Sequence, residues 1–323
     1  MSNDHISAGT RTTGTQTILG ANGQIGRELA VHLARDFTTE LRLVSRRPEK
    51  VNETDRLFTA DLLDPHQTRE AIRGSSIVYL TAGLPMDTAL WVAQWPVMMR
   101  NVLDACSAHD AKLVFFDNTY MYPQTSVPQT EAAPFQPNGA KGRVRAEIAT
   151  MLLDAMAKGQ VQGLLCRAPE FYGPGRTQSI TNSMILENLQ ARRPAKIMLK
   201  GDTRRTLIFT PDASRAMALL GNTADAFGQT WHLPCDDDRL TARQFVALAA
   251  DALGVPARSV VVKRWQLALA ALVNQRARDA RELLPRYAVD NLFVSDKFKA
   301  RFSEFRVTTI KQGLTAYAKG AKR

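Results

Sequence analysis

Three glycines mark where this chain could hold a charged ligand: Gly20, Gly23 and Gly26, within Gly20-Ala21-Asn22-Gly23-Gln24-Ile25-Gly26. They follow a short run at residues 15–19 that reads as a strand. They open a segment in which Ile25, Leu29 and Leu33 recur every fourth residue, the mark of one helix face. At a strand–turn–helix junction the first glycine permits the tight turn and the second lets the backbone approach a pyrophosphate. The third lets helix and strand pack closely. The pyrophosphate then meets N–H groups at the positive end of the helix. A purely structural glycine turn would carry the same letters, but the strand before and the helix after favour a dinucleotide site. Gly20, Asn22, Gly23, Gln24, Ile25 and Gly26 are its expected wall.

The second strand bears on which dinucleotide. Residues 41–45 lead into Val44-Ser45-Arg46-Arg47, with no acid where an NAD site usually keeps one for the ribose hydroxyls. A guanidinium at Arg46 can pair with a 2′-phosphate through charge-assisted hydrogen bonds. NADP(H) is therefore expected over NAD(H), unless both arginines are solvated loop residues.

The elements that must position these residues follow a βαβ rhythm. Further strands are expected at 57–60, 76–80, 113–116 and 163–167. Helices are expected from Pro65, through Trp91, Trp95, Met98, Val102 and Leu103, and over 143–157. Right-handed crossovers make this a doubly wound parallel sheet, an α/β Rossmann domain over 15–170. After Pro174 the rhythm breaks. A helix at 183–190, a strand near 196–199 and helices at 242–253 and 265–284 predict a smaller C-terminal α/β substrate lobe, mainly 171–318.

Composition narrows the class. At 323 residues, 45% hydrophobic and 23% charged, the chain suits a large domain with a companion. No apolar run approaches the roughly 18 residues of a membrane span. Residues 1–14 lack the apolar core of a secretory leader and read as a flexible leader. Three scattered cysteines without CxxC spacing argue against disulfides and zinc and point to the cytoplasm. His32, His66, His109 and His232 have no partner at metal-ligand spacing, so no metal is expected. The net charge of +11 is spread along the chain without an RNA-binding signature. A basic surface is expected rather than a nucleic-acid partner, and no membrane partner.

With these motifs in place, the sequence resembles the extended short-chain dehydrogenase/reductase family, also called the NAD-dependent epimerase/dehydratase family, from about residue 15 to 318. The resemblance rests on the glycine turn, on Asp61-Leu62 after the third strand and on Thr81-Ala82-Gly83 after the fourth. It also rests on Arg167-Ala168-Pro169-Glu170-Phe171-Tyr172-Gly173-Pro174-Gly175 and on residues 206–216. It implies that Asp61 and Leu62 meet the adenine, that Thr81, Ala82 and Gly83 pass the cofactor, and that 204–228 returns to the Rossmann domain. It implies hydride transfer on a small carbonyl, alcohol or sugar-type substrate, as an oxidoreductase, epimerase or dehydratase. Arg205, seven residues before Asp212, stands where sugar-nucleotide members bind phosphate, which favours an anionic substrate unless it is a salt-bridge partner. A homodimer through the helices over 90–106 and 143–157 is also implied.

The departures from the family matter as much. Its chemistry uses a Tyr whose pKa is lowered by a Lys four residues on, and a Ser or Thr at the end of the fifth strand. Here the helix near residue 140 opens Gly139-Ala140-Lys141-Gly142-Arg143, with Gly139 at the Tyr position and Arg143 at the Lys position. Asn118 takes the Ser/Thr position. Two readings stand. In one, catalysis has moved: alternation along the strand points Asn118 and Tyr120 to the same cleft. Tyr120 is then the acid near Lys141 or Arg143, and Asn118 binds the substrate oxygen. In the other, Tyr120 and Tyr122 are packing aromatics and the protein is a catalytically silent NAD(P)-binding sensor or scaffold. Glu170 stands near the expected substrate, as an orienting group or base, or as a loop carboxylate.

Overall fold

The computed structural model describes residues 13–175 and 178–321. Residues 1–12 of the expected leader lie outside the described residues. Among the described residues, eleven strands are formed in chain order: β1 (Thr15–Leu19), β2 (Leu41–Ser45), β3 (Arg56–Thr59), β4 (Ser75–Leu80), β5 (Lys112–Asp117), β6 (Gly163–Arg167), β7 (Glu170–Tyr172), β8 (Ala195–Met198), β9 (Leu207–Phe209), β10 (Thr230–His232) and β11 (Ser259–Val262). The α-helices are α1 (Gln24–Asp36), α2 (Pro65–Ile72), α3 (Thr88–Ala108), α4 (Gly139–Ala157), α5 (Glu187–Gln190), α6 (Thr210–Gly221), α7 (Ala242–Leu253), α8 (Arg264–Val273), α9 (Gln275–Ala280), α10 (Asp296–Arg301) and α11 (Ile310–Ala321).

Seven strands form one sheet in the order β10-β6-β5-β4-β1-β2-β3, every pairing parallel. β1 and β6 are buried along their whole length, as strands covered on both faces must be. Alternate side chains feed two cores. Ile18, Tyr79, Val114 and Cys166 pack under α1 and α6. Leu19, Leu80, Phe115 and Leu165 pack under α2, α3 and α4. A third core joins Leu186, Ile197, Phe209, Phe245 and Leu314. It is organised by the two-stranded pairs β8–β11 and β7–β9.

The doubly wound α/β reading of the sequence matches this architecture. The main fold takes back more of the chain than 204–228, however. β10 is its seventh strand, and Phe293, Phe298 and Phe305 pack into the core under α1 and α6. The single helix expected over 265–284 is also broken. Asn274 is extended (φ −129, ψ 114) and its side chain accepts from the N–H of Ala277, capping α9; the chain then tightens into a 3-10 helix over Arg281–Tyr287. Apolar periodicity ran on through 274, but a side chain able to cap a new helix start ended the old one.

Candidate functional site

A cleft of about 940 Å³ opens at the C-terminal ends of the sheet strands, where the strand order reverses. It runs from the β1–α1 turn, past the ends of β2, β4 and β5, to Glu170, Arg286 and Tyr287. Gly20, Asn22, Gly23, Gln24, Ile25, Arg46, Asp61, Leu62, Thr81, Ala82 and Gly83 all line it; Gly26 lies behind the wall. Gly20 has φ +86, and a Cβ there would stand 2.4 Å from Cα of Ala82. A Cβ on Gly26 would stand 2.9 Å from Cα of Ala21 and 3.0 Å from Oγ1 of Thr81. Both glycines are therefore required by close packing. Gly23 is the N-cap of α1 and brings no side chain to the helix start. The first-turn N–H groups are thus left for an anion. Asn22 works differently from a wall: its amide donates to the carbonyl of Arg47 (2.6 Å) and its Oδ1 accepts from the N–H of Glu49 (3.2 Å), tying the two ligand loops together.

Beyond the end of β3, the Asp61 carboxylate accepts from the N–H of Leu63 at 3.0 Å and lines the cleft beside Leu62. Arg46 is exposed, and its guanidinium has no hydrogen bond or ion pair among the described residues. The glycine cradle, the uncapped helix start and a partnerless guanidinium together fit a nicotinamide dinucleotide.

The opposite end of the cleft rests on a buried ionic network that the sequence did not announce. Asp117 closes β5 with a fully buried carboxylate. Nε of Arg145 donates to its Oδ1 (2.9 Å), with a second, shorter bond from Nη2, and Nε of Arg167 donates to Oδ2 (3.2 Å). The Arg145 guanidinium also lies 4.7 Å over the ring of Trp95 and 5.1 Å from that of Phe115. Nη1 of Arg167 donates to the Tyr122 oxygen (2.8 Å), whose hydroxyl pairs with Nε2 of His232 (2.8 Å). His232 in turn donates from Nδ1 to the carbonyl of Val294 (2.7 Å). Burial, first of all, and the nearby Arg167 push the His232 pKa down to about 3.

A consequence in solution follows from that imidazole. It stays neutral in the fold while an unfolded imidazole charges near its ordinary pKa of 6.5. Stability is unaffected above that value and is lost as pH falls from about 6.5 towards about 3. Within this window the His232 contribution has a slope of up to about 1.4 kcal/mol per pH unit. His232→Gln is expected to flatten the acid limb of a Tm-against-pH profile; an unchanged limb would rule out this source.

Tyr120 and Asn118 both line the cleft, for a reason other than the one expected. β5 ends at Asp117, so residues 118–120 are a turn and strand alternation does not govern them. The turn is fixed by its own amide: Oδ1 of Asn118 accepts from the N–H of Tyr120 at 2.9 Å. Nδ2 of Asn118 is left without a partner among the described residues. The Tyr120 ring stacks on Trp91 (centroids 6.0 Å, 17° apart) and carries the Arg286 guanidinium 5.1 Å away on its centroid. Burial pushes the Tyr120 hydroxyl above the usual phenol range, and the opposing charge of Arg286 does not overcome it.

Two expected neighbours are elsewhere. Lys141 is fully buried: Nζ donates to Thr88 Oγ1, to the carbonyl of Asp279 (2.8 Å) and to Oε1 of Glu282 (3.1 Å). It does not line the cleft, so the catalytic part expected of Lys141 is corrected to that of a tie between α4 and the 3-10 helix. Arg143 is exposed on the far side of α4. The cation that α4 does bring to the cleft is Arg145, four residues after Lys141, one turn further along the same face.

Glu170 lines the cleft, but both oxygens are occupied: Thr181 donates to one, Arg205 (2.9 Å) and Tyr287 (3.1 Å) to the other. Burial raises its pKa. The charges of Arg205 and Arg286, with the Thr181 bond, outweigh burial and hold the carboxyl below the usual range. Arg205 also donates to the carbonyl of Arg286 (3.0 Å) and lies 4.1 Å over the Tyr287 ring. It is a buried partner of Glu170, off the large cleft and facing a small cavity of the smaller core. Of its donors only Nε is buried without a partner. Among the described residues, no group of three or more His, Cys, Asp or Glu gathers as a metal site would require.

The comparisons with known proteins agree with the cleft. The chain matches the NAD dependent epimerase/dehydratase family over residues 17–232. The chain belongs to that family. It is thus related to enzymes that move hydride between a nicotinamide cofactor and sugar-type substrates. A search of the curated proteins finds no match. Among solved structures, the fold is similar to that of UDP-glucuronic acid 4-epimerase from Bacillus cereus in complex with UDP-glucuronic acid and NAD: TM-score 0.79, 14% identity, covering 95% of this chain and 99% of that one. It is similar to UDP-glucose 4-epimerase from Thermus thermophilus in complex with NAD (TM-score 0.76, 15% identity, 95% and 99% covered). An epimerase from the methanogen Methanothermobacter thermautotrophicus gives a TM-score of 0.78 at 13% identity, with 96% and 92% covered. At such identities the likeness is one of fold.

Proposed function

We propose that this family member transfers hydride between NADP(H), favoured over NAD(H), and a small carbonyl, alcohol or sugar-type substrate bound beside Tyr120. The observation that carries the reading is the continuity of one cleft from the glycine cradle to the Asn118–Tyr120 turn. A bound nicotinamide supplies the hydride. Asn118 offers its Nδ2–H to the substrate oxygen, and Tyr120, held protonated by burial, hydrogen-bonds the same oxygen and delivers a proton as negative charge develops. Trp91 and Arg286 both pack on the Tyr120 ring. A phenol with a raised pKa is a weaker acid that stays protonated at neutral pH, so the form present is the one able to give a proton to a carbonyl being reduced. Arg205, paired with Glu170 and off the cleft, is offered as a support of that carboxylate, and an anionic substrate in the cleft would be met by Arg286.

Arg46, without a partner among the described residues, is the residue proposed to meet a 2′-phosphate. Arg46→Ala is expected to weaken NADPH binding by about ten- to a hundredfold, the loss of one charge-assisted contact of about 1.5–3 kcal/mol. NADH binding should be untouched. Gly23→Val should abolish both. The check is a titration followed by nicotinamide fluorescence; equal affinity for both nucleotides in the parent protein would remove the NADP(H) preference.

The silent sensor or scaffold reading draws on one observation, the engagement of Lys141 away from the cleft. It requires tight dinucleotide binding with no turnover. The family's homodimer through α3 and α4 is also proposed. Those helices pack on each other, and α3 leaves Val92 51% and Val97 38% exposed. Three free, buried cysteines fit a reducing compartment such as the cytoplasm.

A further inference from the structure

We propose that the outer end of the smaller lobe, built from α8 and the β8–β11 pair, is a docking face for an anionic lipid bilayer. The proposal is independent of what the cleft does.

Among the described helices, α8 is the one whose apolar side chains have nowhere to go. Between Trp265 and Val273 its only polar side chain is Gln266, yet only Ala271 is buried. Trp265, Leu269, Leu272 and Val273 are 60%, 56%, 74% and 89% exposed. Their spacing, i, i+4, i+7 and i+8, puts them on one face. Val260, 50% exposed, stands on the strand that leads into α8. Single exposed leucines are ordinary on a soluble protein, but a contiguous face of Trp, two Leu and Val marks a surface that is covered in use.

Charge says what covers it. Residues 188–201 and 252–278 hold nine Lys and Arg and no Asp or Glu, although the chain as a whole has 31 acids to 42 bases. The two segments are brought together by the parallel β8–β11 pairing, which sets Lys196 beside Val260. Arg192, Arg193, Lys196, Lys200, Arg258, Lys263 and Arg264 are exposed. Seven exposed cations, on and beside the β8–β11 pair and at the start of the apolar α8, call for a partner that is negative at its surface and hydrocarbon beneath it. A ten-residue helix is about 15 Å long, half of a bilayer core, so α8 would lie in the interface rather than cross. Single-stranded nucleic acid would answer the charge and leave Leu269, Leu272 and Val273 in water. A second copy of the same face would bring like charges together. Each Lys or Arg near an anionic leaflet adds to the attraction, and Trp265 suits the headgroup level. This departs from the absence of a membrane partner expected from the sequence. It agrees with the finding that no described helix is long and apolar enough to cross a membrane.

The chain carries its own probe. Of its four tryptophans, Trp91, Trp95 and Trp231 are at most 6% exposed and only Trp265 is open to solvent. Full-length protein is to be mixed with phosphatidylcholine vesicles and with vesicles also containing phosphatidylglycerol, and followed by co-sedimentation and tryptophan emission. The expected result is binding to the anionic vesicles alone, weakened by salt, with a blue shift that Trp265→Phe removes while binding persists. The variant Leu269→Ser/Leu272→Ser should bind at least about tenfold more weakly, with unchanged melting and nicotinamide binding. The proposal is overturned by four results: no binding to anionic vesicles, binding of the double variant equal to the parent, a single-stranded RNA complex that competes with vesicles while vesicles give no blue shift, or a dimer that the double variant dissolves.

Discussion

Asp117→Ala is expected to lower the folding stability of this protein by about 3–5 kcal/mol, the cost of leaving a buried ion pair without one partner. The reason lies in what surrounds that carboxylate. The Asp117 side chain is fully buried, and those of Arg145 and Arg167 are 4% and 2% exposed. Remove the acid and two guanidiniums face each other in the interior, where charge is weakly screened. Arg167 already has Nη2 buried without a partner, so it has little spare satisfaction to fall back on. Asp117→Asn should cost nearly as much, because an amide keeps the shape but not the charge. Combining Asp117→Ala with Arg145→Met should cost less than the sum of the two single changes, since one stranded cation is then gone. Equilibrium urea unfolding of the parent and these variants measures this directly. A loss below about 1 kcal/mol for Asp117→Ala would mean that the network is hydrated, as exposed pairs are.

The second large effect is on rate. Tyr120→Phe is expected to reduce kcat by about 10²- to 10⁴-fold while leaving nicotinamide affinity within about twofold, the pattern of a lost general acid. The substitution removes one oxygen and keeps the ring that Trp91 and Arg286 hold, so melting should be nearly unchanged. Hydride transfer from NADPH, followed by absorbance on a panel of aldehydes, ketones and sugar nucleotides, provides the readout. Equal turnover by Tyr120→Phe and the parent would return Tyr120 to the part of a packing aromatic. Binding with no turnover by either would favour the sensor or scaffold reading.

These two predictions rest on different kinds of information. Gly20, Gly23 and Gly26, with a strand before and a helix after, are a local pattern: the turn, the close approach and the helix start all lie within seven residues. Nearest-neighbour sterics decide them. The same is true of Arg46 at the end of β2, whose neighbourhood is set by one strand. Tyr120 and Asn118 were singled out from their place after β5 and both line the cleft, although the turn geometry comes from the Asn118 side chain rather than from strand alternation.

Lys141 shows where local reasoning runs out. Its distance from Tyr120 along the chain suggested a partnership, but Glu282 and the carbonyl of Asp279 claim it, and both come from a segment about 140 residues later. Arg205 was noticed for its spacing from Asp212, and the structure pairs it with Glu170 and Tyr287. Arg286 and Tyr287 went unnoticed because the helix expected over 265–284 gave no reason for the chain to turn back at Arg281–Tyr287. The sequence by itself determined the doubly wound sheet, the glycine turn that opens α1 and the absence of a standard Tyr-x-x-x-Lys pair. Each of these is written in short-range periodicity, glycine placement or residue identity. The partners of Asp117, Glu170 and Lys141, and the exposure of α8, were decided only in the tertiary structure. A buried charge takes whichever opposite charge the packed elements bring within about 3 Å, and no pattern along the chain encodes that distance.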